Sequence, residues 1–427
     1  ERIRAAPRNR RLPHTRRQDQ RFPRHFPHSE LTKQNIIMSD RILLCLCHMS
    51  GKEMDFINEA FADNWVVPLG PNVNGFEKDL EKFFLSYPPG LERKRIVALA
   101  SGTAAIHLGL VALGAGRDDE VIVQSFTFSA SANPVTYVGA TPVFVDSEPD
   151  TWNMDPALLD HAIADRIQKT GKKPKAIIPV YLYGMPAKIS EILEVAEKWG
   201  IPVLEDSAEA FGSRYKGRMC GTFGEYGILS FNGNKMITTS GGGALICPDE
   251  EKWKLAMNYA TQSREPYPWY QHERIGYNYR LSNISACIGQ GQMTIAEEHI
   301  AHHRHVQERY RELFSGVEGI SLHENPGPEF DSNFWLCAIT LSPELRVKEA
   351  DSCGKPEAMR RNLERHNIES RHLWKPMHLQ PVFSKCPSYV NGVSEDLFSR
   401  GLCIPAGPWV GEKEIARVVE AIKESIV

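Results

Sequence analysis

Five short apolar runs, RIVALA (95–100), EVIVQS (120–125), TPVFVD (141–146), KAIIPVYL (175–182) and IPVLED (201–206), recur along the chain with helical patterns between several of them. Each is apolar at successive rather than alternate positions, so each must be buried on both faces. Strands of that kind alternating with helices imply an α/β fold, a mostly parallel sheet covered by helices on both sides. Ligands in such sheets bind beyond the carboxyl ends of the strands. The residues that follow each run are therefore the first place to look for chemistry.

After the first run comes Ser101-Gly102-Thr103-Ala104, opening the helical stretch AAIHLGLVALG. Amides at a helix N-terminus beside a glycine and a hydroxyl form a phosphate site, although the same residues serve as a plain helix cap. After the second comes Ser125-Phe126-Thr127-Phe128, where Phe128 is either a lid over a planar ligand or a core aromatic. Tyr183 and Gly184 follow the fourth run. Asp206 ends the fifth, with Glu209 one helical turn on; its plain role is another cap. Further along, YGILSFNGNKMITTSGGGAL (226–245) reads as a buried strand, a polar turn carrying Lys235, three glycines and a second strand. An exposed lysine, with a pKa of about 10.4, is a poor nucleophile, whereas one held on a rigid turn in a partly dry pocket can lose its proton and form a Schiff base. Ser230 places a hydroxyl where an anionic group could sit, and Gly241, Gly242 and Gly243 let backbone pass close to a flat ring or a phosphate. Each feature alone has a structural reading. Phosphate cradle, aromatic lid, carboxylate, hydroxyl and lysine together match the needs of pyridoxal phosphate, whose ring nitrogen wants an anion and whose aldehyde wants an amine.

Composition narrows the classes. The chain has 427 residues, 42% hydrophobic and 24% charged, ordinary for a globular protein of two or three domains. No apolar run approaches the roughly 18 residues that span a bilayer, so no membrane partner is expected. The net charge of -3 is unevenly spread: residues 1–37 carry nine Arg and one Lys against three acidic residues, a net of +7, which leaves -10 for the remainder. An acidic body argues against nucleic acid as a partner. Nine cysteines without CxxC pairs read as reduced thiols of a cytoplasmic protein, with no metal site. The segment 1–37 contains Pro7, Pro13, Pro23 and Pro27 and reads as a disordered basic extension ahead of a working protein that begins near Met38. The expected division is a large domain over 38–296 and a smaller C-terminal α+β domain over 297–427.

The segments SGTAAIHL, SFTFSASANPV, GATPVFVD, LEDSAEAFGS, GTFGEYGILSFNGNKMITTSGGGAL and GYNYRLSNI carry a resemblance that runs from about His48 to the C-terminus. The chain resembles the DegT or StrS type of nucleotide-sugar aminotransferases, of fold type I. Within that family HMSGKE (48–53), NWVVPLGPNVNGFE (64–77), FNGNK and LWKPMH (373–378) make it most similar to transaminases that form UDP-4-amino-4,6-dideoxy-N-acetylglucosamine in the N-acetylbacillosamine pathway. The resemblance implies that Lys235 holds the cofactor and Asp206 pairs with its pyridine nitrogen, these two being the catalytic residues. It further implies that Glu209 lies near the ring hydroxyl, Phe128 stacks on the ring, and Gly102, Thr103, Ala104 and Ser230 hold the phosphate. Asn278 is expected to reach the phosphate in a neighbouring subunit, making a homodimer with shared sites the smallest active unit. His48, Met49, Arg280, Lys375 and His378 are the expected substrate contacts, Arg280 serving either an anionic substrate group or a structural ion pair.

The implied reaction takes an amino group from an amino acid, L-glutamate, and delivers it to a UDP-linked 4-keto-6-deoxy sugar for surface glycan or polysaccharide synthesis, with ping-pong kinetics. Two departures from the family pattern bear on the substrate rather than the cofactor: Cys45-Leu46-Cys47, read as two small buried residues rather than a metal pair, and His372 where relatives have proline. A sugar 3-dehydratase of this fold carries histidine in place of the lysine. A nucleotide-binding oxidoreductase needs G-x-G-x-x-G after the first strand, which is missing. The remaining alternatives are an aminotransferase for another ketosugar or a free amino acid, and a non-catalytic regulator.

Overall fold

The computed structural model describes residues 40–86 and 89–427; the basic segment 1–37 and the start read at Met38 lie outside the described residues. The strands in chain order are β1 (Arg95–Leu99), β2 (Glu120–Gln124), β3 (Thr141–Val145), β4 (Ala176–Ile178), β5 (Leu204–Asp206), β6 (Arg214–Tyr215), β7 (Arg218–Met219), β8 (Tyr226–Ser230), β9 (Gly243–Cys247), β10 (Ile320–Leu322), β11 (Phe330–Asp331), β12 (Cys337–Leu341), β13 (Arg371–His372), β14 (Ser388–Tyr389) and β15 (Gly401–Ile404). The main sheet runs β14-β3-β2-β4 and β5-β8-β9-β1, its two halves joined by the parallel bridges Ile177 to Val203 and Val180 to Asp206. All its strands are parallel except β9, which pairs antiparallel with both β8 and β1.

Continuous apolarity is used on both faces. Val97, Leu99, Ile228 and Leu245 point into a core shared with Ala105, Ile106 and Leu108 of the helix Gly102–Ala112. Their neighbours Ile96, Ala98, Leu229 and Ala244 point the other way, onto Val73, Phe76, Leu80 and Phe84 of the helix Pro71–Leu85. The run at 175–182 forms a strand only over Ala176–Ile178. Pro179 has no N–H to extend the ladder, and Tyr183 turns with φ 54° inside a single helical turn, Leu182–Gly184. A second, antiparallel sheet, β10-β12-β15-β13, packs against the helices Ala296–Phe314, Lys355–Arg365 and Glu412–Glu424 around Val306, Ile339, Met359, Leu402 and Ile415. Residues Ile42–Val427 form one compact unit.

Candidate active site

A cavity of about 450 Å³ lies at the carboxyl ends of the main-sheet strands. One end is the start of the helix Gly102–Ala112. Ser101 caps it by accepting from the amide of Ala104 at 3.0 Å, so Ala104 is engaged while Gly102 and Thr103, whose first-turn amides have no intrahelical acceptor, border the open space. Ser230 at the end of β8 faces the same corner: a Cβ added to Gly102 would lie 3.1 Å from Ser230 Cβ. A Cβ on Gly243 would lie 2.4 Å from the Gly102 nitrogen. This glycine is required by close approach of strand and helix, while Gly241 and Gly242 border the cavity itself.

The opposite side carries the charges. Asp206, 3% exposed, accepts from Ser131 Oγ at 2.6 Å and from the Ala208 amide at 3.1 Å, and Ser131 Oγ lies 2.7 Å from Thr127 Oγ1. Burial raises the pKa of this carboxyl; the Ser131 and Ala208 donors and the Lys235 charge oppose the rise. Glu209 is raised for the same reason, against the Lys235 charge and the Tyr183 amide, which donates to Oε2 at 2.7 Å. Lys235 Nζ lies 3.5 Å from Glu209 Oε1 and 3.8 Å from the centroid of the Trp335 ring.

The loop bearing Lys235 is held through its carbonyls. Trp335 Nε1 donates to Asn234 O at 2.6 Å, Cys45 Sγ to the same oxygen at 3.3 Å, and Cys47 Sγ to Lys235 O at 3.2 Å. Burial is the main cause that pushes the two thiols up, Cys45 to about 12 and Cys47 to about 11, so both are protonated donors. Among the described residues no group of three His, Cys, Asp or Glu is arranged to hold a metal. Phe128, 54% exposed, stands at the rim with its ring 5.4 Å from that of Trp374, whose amide donates to the Tyr183 hydroxyl at 2.8 Å.

The structure thus brings Gly102, Thr103, Phe128, Asp206, Glu209, Ser230 and Lys235 around one space. Ser131, Trp335 and Trp374 also line it and were missed in the sequence. Ser131 lies in the SFTFSAS segment and Trp374 in LWKPMH, both singled out above, whereas Trp335 arrives from beyond residue 300 with no local signal. Other expected contacts stand elsewhere. Arg280 is a correction: its guanidinium is bidentate on Glu77 and donates to Ala98 O at 3.0 Å, with side chains 7% and 8% exposed, so it is the structural ion pair and not an open anion receptor. His378 is a second: its ring nitrogens meet Ser125 Oγ at 2.6 Å and Glu395 Oε1 at 3.1 Å, leaving neither free for substrate. Asn278 is exposed and accepts from Gln262 Nε2 at 2.9 Å, away from its own chain's cavity. His48, Met49 and Lys375 are exposed and outside the lining.

The donor set suits a phosphorylated pyridine aldehyde: helix amides and hydroxyls at one end, a carboxylate at the other, an amine and an aromatic face between, in a cavity of about 450 Å³. Comparison with known proteins agrees. The model of the DegT/DnrJ/EryC1/StrS aminotransferase family matches residues 48–423. The chain is 44% identical over 392 residues, 90% of its length and 96% of the relative's, to EpsN of Bacillus subtilis (strain 168), which carries the name of a pyridoxal phosphate-dependent aminotransferase. It is 34% identical over 377 residues, 88% of its length and 96% of the relative's, to GDP-perosamine synthase of Escherichia coli O157:H7. The crystal structure of a DegT DnrJ EryC1 StrS aminotransferase from Brucella abortus superposes with a TM-score of 0.79 at 29% identity, covering 94% of this chain and 99% of that one. Fold, cavity and family model converge, and the chain belongs to the DegT/DnrJ/EryC1/StrS family of aminotransferases.

Proposed function

We propose that the protein is a pyridoxal phosphate-dependent aminotransferase of nucleotide-sugar synthesis that moves an amino group from L-glutamate to a UDP-linked 4-keto-6-deoxy sugar. The observation that carries the reading is the convergence of Lys235, Asp206 and the Gly102–Thr103 helix start on one cavity. When bound, pyridoxal phosphate supplies an aldehyde and a ring that draws electrons from an adjacent carbon. Lys235 would hold that aldehyde and, when free, its Nζ would take up and return the proton that transamination moves. Asp206, oriented by its bonds from Ser131 and Ala208, would face the ring nitrogen and favour its protonated form. Gly102, Thr103 and Ser230 hold the phosphate, and Phe128 and Trp374 shield the site from water. Ala104 supports the phosphate end through its bond to Ser101.

The sugar contacts follow from position. Lys375 adjoins the cavity-lining Trp374, and His48 and Met49 follow Cys47, which binds the Lys235 carbonyl. We read the layer from about residue 297 onward as the smaller domain that closes the site, since it contributes both tryptophans. A homodimer is supported by exposed apolar residues on two segments, Trp65, Val66, Val67 and Leu69 on one and Tyr267, Trp269 and Tyr270 on the other. Asn278 near the second would then reach the partner's phosphate; a monomer in sedimentation equilibrium would contradict this. The nine free cysteines suit a reducing cytoplasm. UDP as the nucleotide rests on the HMSGKE and LWKPMH resemblance, while the relationship to GDP-perosamine synthase supplies a second reading, a GDP-linked ketosugar. Mass spectrometry of products from UDP- and GDP-linked 4-keto-6-deoxy sugars with glutamate decides: amination of the UDP sugar is expected, amination of the GDP sugar alone would overturn the nucleotide, and amination of neither would overturn the substrate class.

A further inference from the structure

The segment Ser332–Trp335 joins β11 to β12 and borders the cavity through Trp335, and its construction is unusual. Phe334 has φ 48°, a left-handed backbone that a bulky residue adopts only when its surroundings enforce it. Those surroundings are explicit. Ser332 Oγ accepts from the Phe334 amide at 2.9 Å, His303 Nδ1 meets the Phe334 carbonyl at 3.2 Å, and Asn333 Oδ1 accepts from the Trp335 amide at 2.8 Å. Asn333 Nδ2 in turn donates to Glu209 O at 2.9 Å and to Phe211 O at 3.0 Å. It lies so close to the turn after β4 that a Cβ on Gly184 would be 1.8 Å from Asn333 Oδ1. The strained residue therefore fixes Trp335 relative to the loops of both Glu209 and Lys235. Trp335 meets the lysine twice, through its ring face 3.8 Å from Nζ and through Nε1–H to the carbonyl of the preceding residue, Asn234, at 2.6 Å.

We propose that Trp335 is a positioning residue for Lys235: its ring face, opposite Glu209, receives the lysine amine whenever that amine is not joined to the cofactor. An aminotransferase must release this amine and take it back in every cycle, and a flexible four-carbon side chain without a resting place would be spread over many rotamers. The ring attracts the amine as a cation and holds it in place, while Glu209 Oε1, 3.5 Å from Nζ, can take the proton that the amine must lose before it captures an aldehyde. The inference rests on Lys235 being the amine that holds the cofactor.

The test uses the full-length protein freed of cofactor and its Trp335→Leu, Trp335→Phe and Lys235→Ala variants. Stopped-flow absorbance follows covalent capture of pyridoxal phosphate. Fluorescence titration measures affinity for pyridoxamine phosphate, which bears an amine where the aldehyde was and so cannot be captured. Trp335→Leu should slow capture about tenfold, with the affinity for pyridoxamine phosphate within about twofold of wild type, and Trp335→Phe should restore most of the rate because it keeps a ring face. Wild-type capture by Trp335→Leu, or equal losses in rate and affinity, would overturn the proposal; Trp335→Met replaces the leucine variant if that one does not fold. Lys235→Ala should bind pyridoxamine phosphate and capture nothing. Capture by that variant would overturn the assignment of the amine itself, whereas its absence together with unimpaired Trp335→Leu would overturn only the role of the tryptophan.

Discussion

Arg280 and Lys235 are both cations set against carboxylates, and the geometry around each gives them different tasks. Arg280 and Glu77 are nearly out of water, bidentate, and tied further to Ala98 through its carbonyl and its amide. Burial pushes the Glu77 carboxyl up and the guanidinium opposes it, so each charge depends on the other. Removing one member leaves an uncompensated buried charge, a cost of about 3–5 kcal/mol. Arg280→Met should therefore lower unfolding free energy in urea by roughly that amount. A variant of undiminished stability but with a KM for the sugar raised tenfold or more would restore Arg280 as a substrate contact. Lys235, at 3.5 Å from one oxygen of Glu209 and stacked on a ring, has no such bidentate partner and is free to react.

At the scale of elements, the meeting of β9 with the start of the helix Gly102–Ala112 shapes the phosphate end. A methyl group on Gly243 would press on the Gly102 amide at 2.4 Å, where neither backbone can yield alone. Gly243→Ala should cost about 1–3 kcal/mol of stability and weaken pyridoxal phosphate binding at least tenfold, measured by equilibrium dialysis. Unchanged affinity would mean that the cofactor phosphate sits elsewhere. Much of this end was legible in the sequence. Runs such as IVAL and VIV are apolar at every position because helices cover both faces of the sheet, and residues just after such strands fall at the ligand-binding edge by topology. Other parts were not legible. Pro179 cut a strand that apolarity alone would have prolonged. The partner of Arg280 lies 203 residues away, so nothing local distinguished an ion pair from an anion receptor. Trp335 reaches the carbonyl of Asn234, beside the lysine, across 101 residues, a contact that no spacing rule encodes.

For the whole molecule, buried histidines tie stability to pH. His303 and His323 are enclosed, and burial holds both rings near a pKa of about 3, against 6.5 when free. Between those values the unfolded chain binds protons that the folded chain refuses. Their contribution is thus fully present above about pH 6.5 and is lost as pH falls toward 3. Urea midpoints should fall steadily from pH 7 to pH 4, and His323→Gln should flatten the slope; a midpoint independent of pH over that range would contradict the burial of neutral rings.

The chemistry of the site turns on the amine at position 235. Reduction of the pyridoxal phosphate-loaded protein with borohydride, followed by peptide mapping in a mass spectrometer, fixes the cofactor to whichever nitrogen holds it. The phosphopyridoxyl group should appear on Lys235 and on no other lysine, whereas a group on another residue, or none on any, would contradict the site described.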